Sequence, residues 1–193
     1  MRTSRVLALA SLTAAVAGQA AAQTLVNGGF DVQVPGGGAS TGWTVSGVDG
    51  AGGWRGSGGN PGAFFILNAG GAAGSDPSIS QLITDLVVGQ EYEVSGTYAS
   101  WIIASSPANG RSFAADIDGV ELFTGTASTI GAWRPFSLTF IASAPSANLR
   151  LRAETNSTDN DFAVDSISVA LVPSPGSLVL LGAGSVLVTR RRR

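Results

Sequence analysis

The chain has 193 residues, 13 of them acidic and 11 basic, and it contains neither cysteine nor histidine. That excludes Ser-His-Asp and Cys-His catalysis, thiolate-bound zinc or iron–sulfur centres and disulfide staples, and leaves carboxylates, hydroxyls or a hard cation for any chemistry. All the carboxylates lie between residues 23 and 171, where five arginines (Arg55, Arg111, Arg134, Arg150, Arg152) stand against 13 acids for a net of −8, with no lysine; a surface of that sign does not neutralise phosphates, so nucleic acid is excluded as a partner.

The N-terminus carries a basic start at Arg2 and Arg5, an apolar run over residues 6–17, and the small residues Ala20-Ala21-Ala22. This order predicts a secretory signal peptide over residues 1–22, recognised through Ala20 and Ala22 and cut after Ala22. Residues 23–171 then form a single exported domain, large enough for one core.

Glycine crowds the first part of that domain: 17 of the 27 lie between Gly28 and Gly74. Residues 50–62, GAGGWRGSGGNPG, are expected to be a long loop, the kind of segment where binding often sits. Around it, strands are expected at 25–32, 43–46, 63–67 and 78–83. From residue 91 the pattern becomes a clear alternation. Tyr92, Val94, Gly96 and Tyr98 share one face of a strand, with Glu91, Glu93, Ser95 and Thr97 on the other. Phe113, Ala115 and Ile117 lead into Asp118-Gly119, a two-residue hairpin signal, and residues 120–124 return. Phe136, Leu138 and Phe140 alternate with polar residues, as do Leu149, Leu151 and Ala153. In the last strand Phe162 and Val164 are in one phase and Ile167, Val169 and Leu171 in the other, which predicts a bulge near Asp165-Ser166. Nine or ten short strands without a useful helix predict an all-β antiparallel sandwich, most naturally a jelly roll.

LVNGGFD at residues 25–31, GWTVSG at 42–47, SISQLITDLVVGQEYEVSGTY at 78–98, WRPFSLTF at 133–140 and FAVDSISV at 162–169 resemble, in that order, galactose-binding-like jelly rolls of the carbohydrate-binding-module type. The resemblance implies that the opening segment and the closing strand lie side by side and hold a structural calcium ion, on Asp31 and Asp165. Carboxylates and backbone carbonyls at two adjacent strand ends are suitable ligands for such an ion; no other cofactor is expected. Sugar recognition needs flat apolar platforms beside polar groups. Trp101, on the polar face of its strand by parity with Glu93 and Thr97, is the first platform candidate. Trp54, beside Arg55 in the expected loop, is the second, and Arg111 could reach a sugar hydroxyl or carboxylate. Trp43 and Trp133 are assigned to the core. Asp116 with Asp118, or Glu91 with Glu93, stand two residues apart on one strand face, about 6.5–7 Å between Cα atoms, a spacing that overlaps glycosidase carboxylate pairs. Asn156-Ser157-Thr158 matches a glycosylation sequon.

The chain closes with VPSPGSLVLLGAGSVLVTRRRR, residues 172–193: a Pro173-Ser174-Pro175 stop, a short apolar run over 178–188 and the cluster Arg190, Arg191, Arg192 and Arg193. Prolines end the preceding strand. The apolar run is well under the roughly 20 residues that span a bilayer, which suits a transient insertion with the arginines held inside. This tail resembles the PEP-CTERM sorting signal of Gram-negative bacteria, with Ser174 where that family has Glu. The resemblance implies an exosortase-type enzyme as processing partner and delivery to the cell surface or extracellular matrix by way of a transient inner-membrane tether. The expected function is thus a non-catalytic exported protein whose jelly roll associates with extracellular polysaccharide. A purely structural, self-associating surface protein is the alternative, and a carboxylate glycosidase a third.

Overall fold

The computed structural model describes residues 24–33, 40–48, 52–68, 76–101, 112–127, 129–154 and 161–173. The signal-peptide residues Ala20 and Ala22, Arg111, the sequon, Ser174, Pro175 and Arg190 to Arg193 lie outside them. Among the described residues no helix is long and apolar enough to cross a membrane. The strands are β1 (Thr44–Ser46), β2 (Gly53–Gly59), β3 (Gly62–Asn68), β4 (Ser78–Ile83), β5 (Glu91–Ser100), β6 (Ser112–Ile117), β7 (Val120–Gly125), β8 (Arg134–Ile141), β9 (Ala147–Glu154) and β10 (Asp161–Leu171). They form two antiparallel five-stranded sheets, in the orders β1-β4-β9-β6-β7 and β2-β3-β10-β5-β8. The protein is therefore the expected all-β jelly-roll sandwich.

Alternation decides what each sheet buries. Tyr92, Val94 and Tyr98 of β5, Phe136, Leu138 and Phe140 of β8, and Leu149, Leu151 and Ala153 of β9 all enter one core between the sheets. Each such large apolar side chain contributes about 1.5–3 kcal/mol when fully buried. Rings from both sheets meet at the centre, with Tyr98 stacked on Phe113 at 4.8 Å and Phe113 tilted against Phe136 at 5.2 Å.

The predicted hairpin and bulge are both present. Asp118 and Gly119 have φ of 51° and 81°, the left-handed pair of a type I′ turn, and join Ile117 to Val120. On β10 the register against β5 shifts between Asp165 and Ser168, with Ser166 at φ 56°. This extra residue turns Ile167 into the core while Phe162 and Val164 also face it.

Two expectations are corrected. Residues 53–59 are not a loop but the edge strand β2, paired with β3 through Gly53↔Ile66, Trp54↔Phe65, Arg55↔Phe64 and Gly59↔Gly62. A ladder is made by backbone groups, so a glycine-rich segment can add to an edge although it shows no side-chain period. Residues 25–32 are not a strand. Asn27 and Phe30 both have φ of 55°, and the Asn27 side chain holds the bend by donating to the carbonyl of Val32 (2.8 Å) and accepting the Val32 N–H (3.1 Å). Asn-Gly-Gly here acts as a turn former. Gly28 is required by close approach: a Cβ there would lie 1.9 Å from the Ile167 carbonyl oxygen, and the Gly28 carbonyl accepts the Ile167 N–H at 2.9 Å. The bend thereby ties the N-terminal segment to the bulge of β10 and drives Phe30 into the core.

Candidate functional site

The second sheet, β2-β3-β10-β5-β8, presents an outer face that is not uniformly polar. Phe64 and Ile66 of β3, Ala163 of β10 and Ala99 of β5 point away from the main core, yet all are 0–1 % exposed. They form a second apolar cluster, against which the half-buried Trp101 and Trp133 pack. Trp101 follows β5 on the face its parity predicts, and its backbone N–H donates to the Asp161 carbonyl at 2.8 Å. Its ring lies 4.5 Å from that of Phe64, while Trp133, just before β8, meets Phe64 edge-on at 5.8 Å. The small side chains of Ala99 and Ala163 leave room for both indoles. Beside them, Gly58 of β2 is exposed, borders Phe64 and Trp101, and bears no side chain that could cover the rings. Trp133 is thus corrected from core residue to member of this outer cluster.

Trp54 is elsewhere. It belongs to β2, opposite Phe65, and packs against the main core with its indole N–H donating to the Phe30 carbonyl at 2.6 Å. The unsupported loop expected around it is absent because β2 supplies the sheet. Strand alternation puts the next residue, Arg55, on the outer side opposite Phe64, with its guanidinium bonded to the carbonyls of Gly52 and Trp54. Trp43 is a core residue as expected, its indole N–H donating to the Asn27 carbonyl.

Asp31 and Asp165 come together beside the β2–β3 turn. A Cβ built on Gly62 would sit 3.2 Å from an Asp31 carboxylate oxygen, and one on Gly59 2.7 Å from an oxygen of Asp165. Asp165 is fully buried and accepts the N–H groups of Asn60 (2.5 Å) and Ser166 (2.6 Å). Burial raises its pKa above the ordinary value; the two backbone donors oppose this, and the nearby Asp31 charge adds to it. Among the described residues no group of three or more Asp and Glu side chains converges as a metal cluster, so a cation here would depend on this pair and on backbone oxygens.

The fold separates Asp116 from Asp118, while Glu91 and Glu93 stay two residues apart on β5 as expected. Asp116 is buried on the outer face of the first sheet, where one oxygen takes Arg150 at 2.8 Å and Arg152 at 2.6 Å. Asp118 lies in the hairpin turn instead of on the strand face, accepting the Asn148 N–H at 2.8 Å. Arg152 also pairs with Glu121 and Glu154. Glu93 accepts the Ser137 hydroxyl at 2.5 Å on the second sheet. Both Asp116 and Glu93 are therefore held by structural partners.

No protein-family model matches this chain, and no curated protein sequence matches it. Solved structures do. A CBM61 module described in complex with β-1,4-galactotriose superposes with a TM-score of 0.56 at 17 % identity, over 77 % of this chain and 97 % of that one. The K1 cleaved adhesin domain of the Lys-gingipain of Porphyromonas gingivalis gives 0.51 at 16 %, over 75 % and 96 %. The enzymatically active domain of tailspike protein 4 of bacteriophage CBA120 gives 0.53 at 13 %, over 78 % of this chain and 22 % of that one. At these identities the likeness is one of fold: the body is a jelly-roll sandwich of the kind used by carbohydrate-binding modules.

Proposed function

We propose that this is an exported, non-catalytic surface or matrix protein whose sandwich binds polysaccharide through the outer face of the β2-β3-β10-β5-β8 sheet. The observation that carries this reading is the pair of half-buried tryptophans, Trp101 and Trp133, packed over Phe64 on a face directed away from the inter-sheet core. Such indoles offer flat apolar area to the faces of sugar rings. The fold shared with a galactotriose-binding module supports the same reading. Export rests on the signal-peptide pattern of residues 1–22, and sorting on the likeness of residues 172–193 to a PEP-CTERM tail read by an exosortase-type enzyme. Asp31 and Asp165 would hold a structural calcium ion: a buried carboxylate that a second carboxylate makes still harder to ionise is the environment a divalent cation relieves.

Affinity electrophoresis of the full chain in gels containing soluble polysaccharides tests the binding. Retardation by at least one glycan, lost in Trp101→Ala while the melting temperature holds, is the expected result. Migration unaffected by every glycan would overturn it. Mass spectrometry of the surface-derived protein reads the sorting: loss of residues 1–22 and of the arginine cluster is expected, and recovery of both intact ends would refute it.

A further inference from the structure

Below the tryptophans the same face changes character. Moving down β5 from Ala99 by four residues covers about 13 Å, longer than one sugar ring, and reaches Thr97 and then Ser95. These sit beside Pro135 and Ser137 of β8 and Ser166 at the bulge of β10, around an open groove of about 550 Å³ that Gly96, Phe123 and Phe136 also line. The hydrogen bonds of these hydroxyls have one direction in common. Ser137 donates to Glu93 at 2.5 Å, Thr97 to the Asp165 carbonyl at 3.1 Å, and Ser166 to the Asn60 carbonyl at 2.7 Å. Ser95 and Ser168 share a bond at 2.9 Å that uses one of their two protons.

A hydroxyl has one proton to donate and two lone pairs. With their protons already committed inward, Ser137, Thr97 and Ser166 offer the groove acceptors. Glu93, the partner of Ser137, adds a nearby carboxylate that can only accept. We infer that the groove continues the Trp101 site and selects neutral polyhydroxylated glycan chains, which supply O–H donors, against glycans bearing carboxylate or sulfate groups. An anionic substituent brings only acceptors to the acceptor oxygens of Thr97, Ser137 and Ser166 and meets the nearby Glu93 charge besides. This inference rests on the proposed sugar-binding function and adds to it the class of glycan and a second contact region along the chain.

The test is affinity electrophoresis of the full chain against β-1,4-galactan, xylan and mixed-linkage glucan as neutral probes and polygalacturonate and alginate as anionic ones. The variants are Thr97→Val, which keeps the shape and removes the hydroxyl, and Ser137→Ala. Each variant is expected to weaken binding of a neutral glycan about five- to tenfold, the loss of one hydrogen bond, with a melting temperature lowered by no more than a few degrees by the lost internal bond; a short oligosaccharide that covers only the tryptophans should not feel either change. Preference for the anionic probes, or neutral binding that neither variant weakens, would overturn the groove assignment while leaving the Trp101 face intact. Absence of binding to any probe would remove the sugar reading and this inference with it.

Discussion

Replacing Asp165 with Asn removes a charge from a fully buried site while keeping nearly the same volume. In the native protein its two oxygens accept the N–H groups of Asn60 and Ser166. An asparagine has only one oxygen, so one backbone N–H would face an amide N–H₂ and lose its partner. A hydrogen bond to a charged group contributes about 1.5–3 kcal/mol. Part of that is offset because the ionised carboxylate is itself poorly solvated, as its raised pKa records. The expected net loss at pH 7 is about 1–2 kcal/mol, a fall in melting temperature of about 2–8 °C for a domain of this size. The pH dependence gives a sharper signature. Because the folded-state pKa lies above the unfolded value near 3.8, the folded protein holds more protons at this residue within that interval. Its contribution is fully present below the unfolded value and is lost as pH rises through the folded one. The asparagine variant lacks this contribution, so the stability gap between the two proteins should widen as the pH is lowered from 7 toward 4. Thermal or urea melts of both metal-free proteins, in EDTA, across that range measure the gap, and all other carboxylates cancel in the difference. A gap that stays constant or narrows, or a variant as stable as the native protein at pH 7, would refute the reasoning.

Chelation tests the same corner: EDTA should lower the melting temperature and calcium restore it, and an unchanged value would remove Asp31 and Asp165 as ligands. Gly28→Ala would place its methyl carbon within 1.9 Å of the Ile167 carbonyl oxygen, so a loss of at least about 3 kcal/mol is expected in urea melts. A near-neutral result would mean the N-terminal bend is not fixed to the bulge. Asp116→Ala should cost about 2 kcal/mol, less than the 3–5 kcal/mol of a fully orphaned buried charge, because Arg152 keeps Glu121 and Glu154 and the Arg150 side chain is 41 % exposed. A change of less than about 0.5 kcal/mol, the size typical of ordinary surface sites, would show the network to be ornamental.

What could be read in advance depended on whether side chains carried the information. β5, β8 and β9 announce themselves because one face is more buried than the other, and the phase change at Asp165 and Ser166 marks the bulge because the large apolar residues on either side of it all face the core. β2 left no such mark: glycines pair through backbone groups, which a pattern of side chains does not record. Residues 25–32 misled in the other direction, since their apolar residues look strand-like while Asn27 bends the chain through its own hydrogen bonds. At the candidate site, parity placed Trp101 on the outer face. Trp133 was invisible as its companion because the ring both indoles pack on, Phe64 of β3, sits in a run buried on both sides and shows no period. The inward turn of Trp54 followed from β2 and could not be seen without it. The separation of Asp116 from Asp118 came from the hairpin, whose two turn residues take Asp118 off the strand.

The placement of β10 has a mechanical consequence. Its last residues are held at the foot of β5, where the Val172 N–H donates to the Glu91 carbonyl, and its first lies at the head, where Asp161 accepts from Trp101. The strand's 11 residues separate these points by about 33 Å. Were the protein moored by its C-terminus, as the sorting proposal has it, the tryptophans would lie at the far end of β10 from the mooring. Tension on such a mooring would run along a strand paired with β5 over most of its length and with β3 over Asp161 to Val164, across rungs set perpendicular to the pull. Such rungs share a load in shear instead of parting one after another.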